Sequence, residues 1–168
     1  MSDDPALGIS PETHYFAYGT LLGLAAMRGY APSATRDAVA QLAHHRLVFE
    51  RYSNEAPEYG GCSLERRPGE VVNGAIYRIS AADFESLDVA VRRAQGWFDR
   101  IPVTLVTTEG VVVTASTYLI PNSLERFAPS DDYVRDILPG ARELGLPECY
   151  VDRLASIIAE HQALRAEG

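Results

Sequence analysis

Tyr15-Phe16-Ala17-Tyr18-Gly19-Thr20-Leu21-Leu22 is the stretch on which the reading of this chain turns. With His14 in front of it, the aromatic run from His14 to Tyr18 reads as a short strand, ended by a tight turn at Gly19-Thr20. Leu21 to Met27 then reads as a short helical piece punctuated by Gly29 and Pro32. A strand that turns sharply into a helix start leaves backbone N–H groups pointing outward, able to hold an anion or a developing oxyanion. Tyr18, Gly19, Thr20, Leu21 and Leu22 are therefore the first candidate binding residues.

Upstream of that turn, residues 1–13 are rich in Asp, Pro, Gly and Ser and read as a flexible lead. Downstream, Ala34 to Ser53 is ambiguous: its first half can be read as helical, while Leu47-Val48-Phe49 favour a strand before a polar loop from Asn54 to Tyr59. Gly60 to Leu64 starts another strand, Arg67-Pro68-Gly69-Glu70 reads as a turn, and Val71 to Ile79 is a strand. Gly74 inside it marks a bulge or a close backbone approach. The period then changes. Ser80 and Asp83 form a capping start, and Phe84, Leu87 and Val91 fall at spacings of three and four, predicting a helix from about Ala81 to Ala94. Trp97 to Thr107 and Gly110 to Leu119 read as a hairpin turning at Glu109-Gly110. Ser130, followed by Asp131 and Asp132, opens a further helix. Pro139-Gly140 is expected to interrupt it and Gly145-Leu146-Pro147 to end it. Tyr150, Leu154, Ile157 and Ile158 line a last helix before a polar tail over 161–168. The pattern is one α+β domain over 14–160, a curved or closed sheet flanked by helices.

The composition narrows the function. Among 168 residues, 15 basic and 23 acidic side chains leave a net charge of −8, and 46% are hydrophobic. That is one domain with a sizeable core. An acidic chain is poorly suited to nucleic acid, whose binding rests on Lys and Arg neutralising phosphates. No apolar run approaches about 18 residues, and the acidic N-terminal stretch lacks the features of a signal peptide, so no membrane partner is expected and the cytoplasm is the expected compartment. Every basic residue is Arg, which excludes a Schiff-base or P-loop lysine. Cys62 and Cys149 form neither a disulfide framework nor a Cys-x-x-Cys zinc site and read as small hydrophobes; a Cys-His pair with His14, His44, His45 or His161 is the less favoured reading. His44 and His45, adjacent on a strand, should face opposite ways, one inside and one out. Gly-x-Gly-x-x-Gly, Gly-x-Ser-x-Gly and His-Glu-x-x-His motifs do not occur.

The eight residues from Tyr15 to Leu22 resemble the opening Y-F-A-Y-G-S-N-L signature of the γ-glutamylcyclotransferase family. Further segments resemble the same family in the same order. Gly60-Gly61-Cys62-Ser63-Leu64 is similar to its G-G-x-A-T, and Pro68 to Tyr77 to its P-G-x-x-V-W-G-V-V-Y strand. Leu87-Asp88 matches its L-D. Thr117-Tyr118 with Pro129-Ser130-Asp131-Asp132-Tyr133 resembles T-Y … P-S-x-x-Y, and Gly140 to Pro147 with Tyr150 its closing G-A-x-x-x-G-L-P-x-x-Y. The resemblance runs from about residue 14 to 158. It implies a small β-barrel with flanking helices, a cavity at one end, and release of 5-oxoproline from γ-glutamyl amides without cofactor or metal. In such a reaction the substrate's own α-amine attacks its γ-carbonyl, so proximity supplies much of the rate.

One departure stands out. The resemblance assigns proton transfer to the glutamate of L-D-x-x-E-G, and here Val91 occupies that position and Arg92 the glycine's; Phe98 stands where a tyrosine is frequent. Valine accepts no proton, and Val91 continues the apolar stripe of Phe84 and Leu87. Three readings follow. A carboxylate has moved, with Glu50, Glu55, Glu58 and Glu65 as candidates around a loop expected near the cavity. Alternatively, Arg92 or Tyr133 carries altered chemistry. Or the protein is a catalytically silent binder whose cavity is still shaped by Thr20, Leu21 and Tyr133. The favoured expectation is a cyclotransferase-like enzyme of the lyase or acyl-transfer class. Its partner would be a small γ-glutamyl-type or related amide or amine metabolite. Oligomeric state is left open.

Overall fold

The computed structural model describes residues 8–55 and 59–167. Five strands, β1 (His14–Ala17), β2 (Thr35–Arg51), β3 (Gly60–Arg78), β4 (Asp99–Thr107) and β5 (Val112–Leu119), close into a barrel in the order β1-β3-β2-β4-β5. β1 runs antiparallel to β3, and a parallel pairing of Tyr15 with Ser116 on β5 closes the ring. Closure joins the two ends of the sheet to each other. Around the barrel lie α1 (Leu24–Tyr30), α2 (Ala81–Ala90), α3 (Asp131–Val134), α4 (Ile137–Glu143), α5 (Glu148–Gln162) and α6 (Leu164–Glu167). No helix among the described residues is long and apolar enough to cross a membrane.

β1 explains the aromatic opening. Side chains alternate across a strand, and here both faces are covered. Phe16 and Tyr18 enter the core shared with Phe49, Ile76 and Leu154, while Tyr15 and Ala17 join Met27, Tyr77, Phe84 and Leu87 under α1 and α2. A strand buried on both sides has no polar face to show. Gly74, opposite it on β3, is a close approach: a Cβ there would lie 2.2 Å from the Ala17 carbonyl oxygen.

Several expectations are corrected. The ambiguous segment 34–53 contains no helix; β2 pairs with β3 from Thr35 to Arg51, and that continuous ladder overrides the local helical tendency. The two strands read over 60–79 are one, because the turn at Arg67–Glu70 is absorbed as a bulge. Register shifts between Ala43 and His45, with Gly69 at φ 89° and His44 at φ 61°, and the Gly69 N–H donates to His44 Nδ1 at 3.1 Å. That bulge breaks the strand alternation, so His44 is exposed and His45 half-buried, and neither lies inside. α1 begins at Leu24 and passes through Gly29. α2 stops at Ala90, since Arg92 adopts a left-handed φ of 57° before a single 3-10 turn over Arg93–Gln95. Pro139-Gly140 lies within α4: Pro139 is in the first turn, where its missing N–H costs little.

Other elements fall as read. Ser80 caps α2 by accepting the Asp83 N–H, Ser130 caps α3 by accepting the Tyr133 N–H, and β4 and β5 form the hairpin with Gly110 at φ 85°. Leu154, Ile157 and Ile158 pack α5 onto the barrel. The final segment is not wholly a polar tail, because α5 continues to Gln162 and buries His161 against Phe49. Residues 1–7 of the lead lie outside the described residues; within 8–13, Pro11 accepts from Ser116 Oγ at 2.7 Å, tying the segment to β5.

Candidate active site

β1 delivers Tyr18 to the end of the barrel, where its hydroxyl donates to the Tyr118 carbonyl at 2.6 Å. The chain then turns at Gly19. The Leu22 N–H donates back to the Gly19 carbonyl at 3.2 Å, and the Leu22 side chain is fully buried in the core. Leu22 is thus a structural part of the turn, with its donor already used, whereas Gly19, Thr20 and Leu21 line a cavity of about 240 Å³.

The adjoining wall comes from distant sequence. Ser130 starts α3 so that Tyr133 enters beneath Phe49 and Phe127, both edge-on to its ring. Its hydroxyl accepts the Cys62 N–H at 3.0 Å. Gly61 makes room for that hydroxyl, since a Cβ there would sit 2.8 Å from it. Burial pushes the Cys62 thiol up to about 11, only partly offset by hydrogen bonds from Tyr133 and the Thr20 backbone. The thiol stays protonated at neutral pH and is a poor nucleophile. Burial, followed by the neighbouring Cys62, also raises Tyr18 and Tyr133 well above the ordinary phenol range. Both remain neutral hydrogen-bonding groups.

α2 closes the side with Leu87, Ala90 and Val91, joined by Phe98 and Tyr118. Among the described residues, no Asp, Glu, Arg or His lines the cavity. Two of the four candidate replacement carboxylates are held in ion pairs. Glu50 pairs with Arg126 at 2.7 Å. Glu65 bridges Arg46 at 2.8 Å and Arg126 at 2.6 Å; burial pushes its carboxyl up, but the two arginines hold it below the usual carboxylate range. Glu55 is exposed on the loop, and Glu58 lies outside the described residues. The outward left-handed turn at Arg92 carries its guanidinium over the Trp97 ring, 5.2 Å from the centroid, beside a neighbouring surface recess. What flanks the cavity from that loop is aromatic: Tyr52 lines it and stacks on Trp97 with centroids 4.6 Å apart. No group of three or more His, Cys, Asp or Glu among the described residues is placed to hold a metal ion.

Sequence reasoning missed one pair. Tyr118, on the cavity wall, donates its hydroxyl to Asp88 Oδ1 at 2.6 Å. Both residues lay inside matched motifs, Leu87-Asp88 and Thr117-Tyr118, but nothing local links positions 30 apart.

Comparison with known proteins gives this geometry its relatives. The profile of the AIG2-like family matches residues 71–154. The γ-glutamylcyclotransferase of Mus musculus is 33% identical over 146 residues, covering 85% of this chain and 77% of that protein; the Homo sapiens enzyme is 32% identical over the same coverage. The chain belongs to the γ-glutamylcyclotransferase family. A solved γ-glutamyl cyclotransferase structure superposes with a TM-score of 0.79 at 30% identity, over 86% of this chain and 87% of that one. The barrel expected of a γ-glutamylcyclotransferase-like protein is therefore present, and Val91, at the position that the resemblance gives to a glutamate, faces the cavity.

Proposed function

We propose that the protein binds a small γ-glutamyl-type amide or related amine metabolite in the cavity between the Gly19–Leu21 turn and α2, and closes it to a five-membered lactam at a reduced rate. The observation that carries this reading is the retained turn with Tyr133 beside it across Cys62, in a cavity whose described wall has no carboxylate. The N–H of Leu21 would polarise the γ-carbonyl. The bond from the α-nitrogen to the γ-carbonyl carbon forms, the bond from that carbonyl carbon to the departing nitrogen breaks, and the proton shed by the first nitrogen is taken up by the second.

The magnitudes favour slow turnover over none. Holding amine and carbonyl together is worth about 7–11 kcal/mol of barrier, and that depends on cavity shape alone. Losing a general base costs about two to four powers of ten in rate. A second reading, a binding protein without turnover, is favoured by the same uncharged wall.

The experiment is 5-oxoproline release from γ-glutamylalanine, with binding measured in parallel by calorimetry. Binding with slow release supports the proposal; binding with none supports the silent binder. Turnover at or above about 1 per second, the low end of typical enzymes, would overturn the reduced-rate reading. Absence of binding would place the function elsewhere.

A further inference from the structure

The Tyr118 hydroxyl has one proton, and that proton is already committed. Asp88 Oδ1 receives it at 2.6 Å, while Asp88 Oδ2 is held by Arg93 Nη1 at 3.1 Å and Arg100 Nη2 at 3.4 Å. Both Asp88 oxygens are thus occupied by donors, and a carboxylate so engaged only accepts hydrogen bonds. Tyr118 cannot turn its proton toward the cavity without abandoning a charge-assisted bond. Burial, then the Asp88 hydrogen bond and charge, raises the phenol's pKa, so it does not ionise. What Tyr118 retains for the cavity is lone pairs. It is an acceptor by construction.

The opposite wall has the reverse polarity. Tyr133 accepts the Cys62 N–H through its oxygen and, like the Thr20 backbone, hydrogen-bonds the Cys62 thiol, so the donor left to this side of the cavity is the Leu21 N–H of the lining Gly19–Leu21 turn. The two ends therefore differ in kind, with a backbone donor at the turn and an acceptor beside the carboxyl end of α2. The helix dipole at that end also favours a positive group. A γ-glutamyl amide carries the complementary pair, a carbonyl that accepts and an α-amine that donates.

We infer that Tyr118 receives the substrate's α-amine at the α2 wall, and that Asp88 is its positioning residue, holding the phenol in its accepting state. This rests on the γ-glutamyl reading above and adds to it the orientation of the substrate and the group that selects for an amine. The negative charge that Val91 does not supply thus reaches the amine at one remove, through Asp88 and the Tyr118 oxygen.

The test compares two probes, γ-glutamylalanine and glutarylalanine, which is the same molecule without the α-amine. Their affinities are measured by calorimetry for the unmodified protein, Tyr118→Phe, Asp88→Asn and Asp88→Glu. The unmodified protein should prefer γ-glutamylalanine by about tenfold or more, the worth of one hydrogen bond to a charged group. Tyr118→Phe and Asp88→Asn should abolish that preference while leaving glutarylalanine affinity within about twofold, and Asp88→Glu should restore part of it. A pair that merely fastens α2 to the barrel would weaken both probes equally, and that result overturns the inference. So does a preference that survives in folded Tyr118→Phe, which keeps the ring and both arginine contacts even if Asp88→Asn does not fold. If the unmodified protein binds neither probe, the γ-glutamyl reading itself fails.

Discussion

Tyr133 reaches back across 71 residues to accept the Cys62 backbone N–H at 3.0 Å. The contact holds α3 against β3 and fixes the direction in which the hydroxyl's own proton is offered. Tyr133→Phe leaves a buried N–H unsatisfied, at a cost of about 1–3 kcal/mol. Denaturant unfolding should show that loss. Calorimetry should show γ-glutamylalanine binding weakened about tenfold in the folded variant. Unchanged affinity would remove Tyr133 from the site.

Val91→Glu returns a carboxylate to the α2 wall, between Leu87, Ala90 and Phe98. Apolar surroundings raise a carboxyl's pKa, bringing it nearer to neutral pH, where a proton-transfer group works best. The expected outcome is a rise in 5-oxoproline release of about two to four powers of ten. A folded variant with no gain would show that the amine is not presented to this wall.

Glu65 and Glu50 belong to a surface network with Arg46 and Arg126, not to the cavity. Glu65→Gln strips a hydrogen-bonded charge from the buried Arg46. Stability should fall by about 1–3 kcal/mol, read as a lower melting temperature, while affinity for γ-glutamylalanine stays the same. Lost binding at unchanged melting temperature would reinstate Glu65 as a site residue.

Burial holds the His161 imidazole below the usual histidine range; the nearby Arg126 and Arg46 add to this, against the Ile157 carbonyl and Glu160. The folded state therefore prefers neutral His161, whereas the unfolded chain takes a proton near pH 6.5. This stability is fully present above that pH and is lost as pH falls below it, through the folded-state pKa. Melting temperatures of the wild type and His161→Gln, compared between pH 7.5 and 5, should show a shallower acid-side decline in the variant. Equal slopes would exclude His161 as a source.

Gly74→Ala forces a Cβ to within 2.2 Å of the Ala17 carbonyl oxygen. Backbone cannot yield as a side-chain tip does, so β1 must move from β3, at a cost of about 1–3 kcal/mol or more. A variant as stable as the wild type would mean that β1 is not held this closely.

Local chemistry made much of the fold legible in the sequence. The aromatic run His14–Tyr18 read as a strand ending in a turn, Ser80 and Ser130 as helix caps, and Glu109-Gly110 as the turn of a hairpin. Each depends on residues within a few positions of one another. Segment 34–53 was not legible in this way, because its strand state is imposed by pairing with residues 60–78, and no short window contains that partner. The same limit applied to the site. The Gly19 turn and Val91 could be picked out from the motif order, but the commitment of Glu50 and Glu65 to Arg126 could not. Nor could the meeting of Asp88 with Tyr118, or of Cys62 with Tyr133. A side chain's role depends on which atom takes its proton, and in this barrel that atom comes from a strand or helix 30 or 71 residues away.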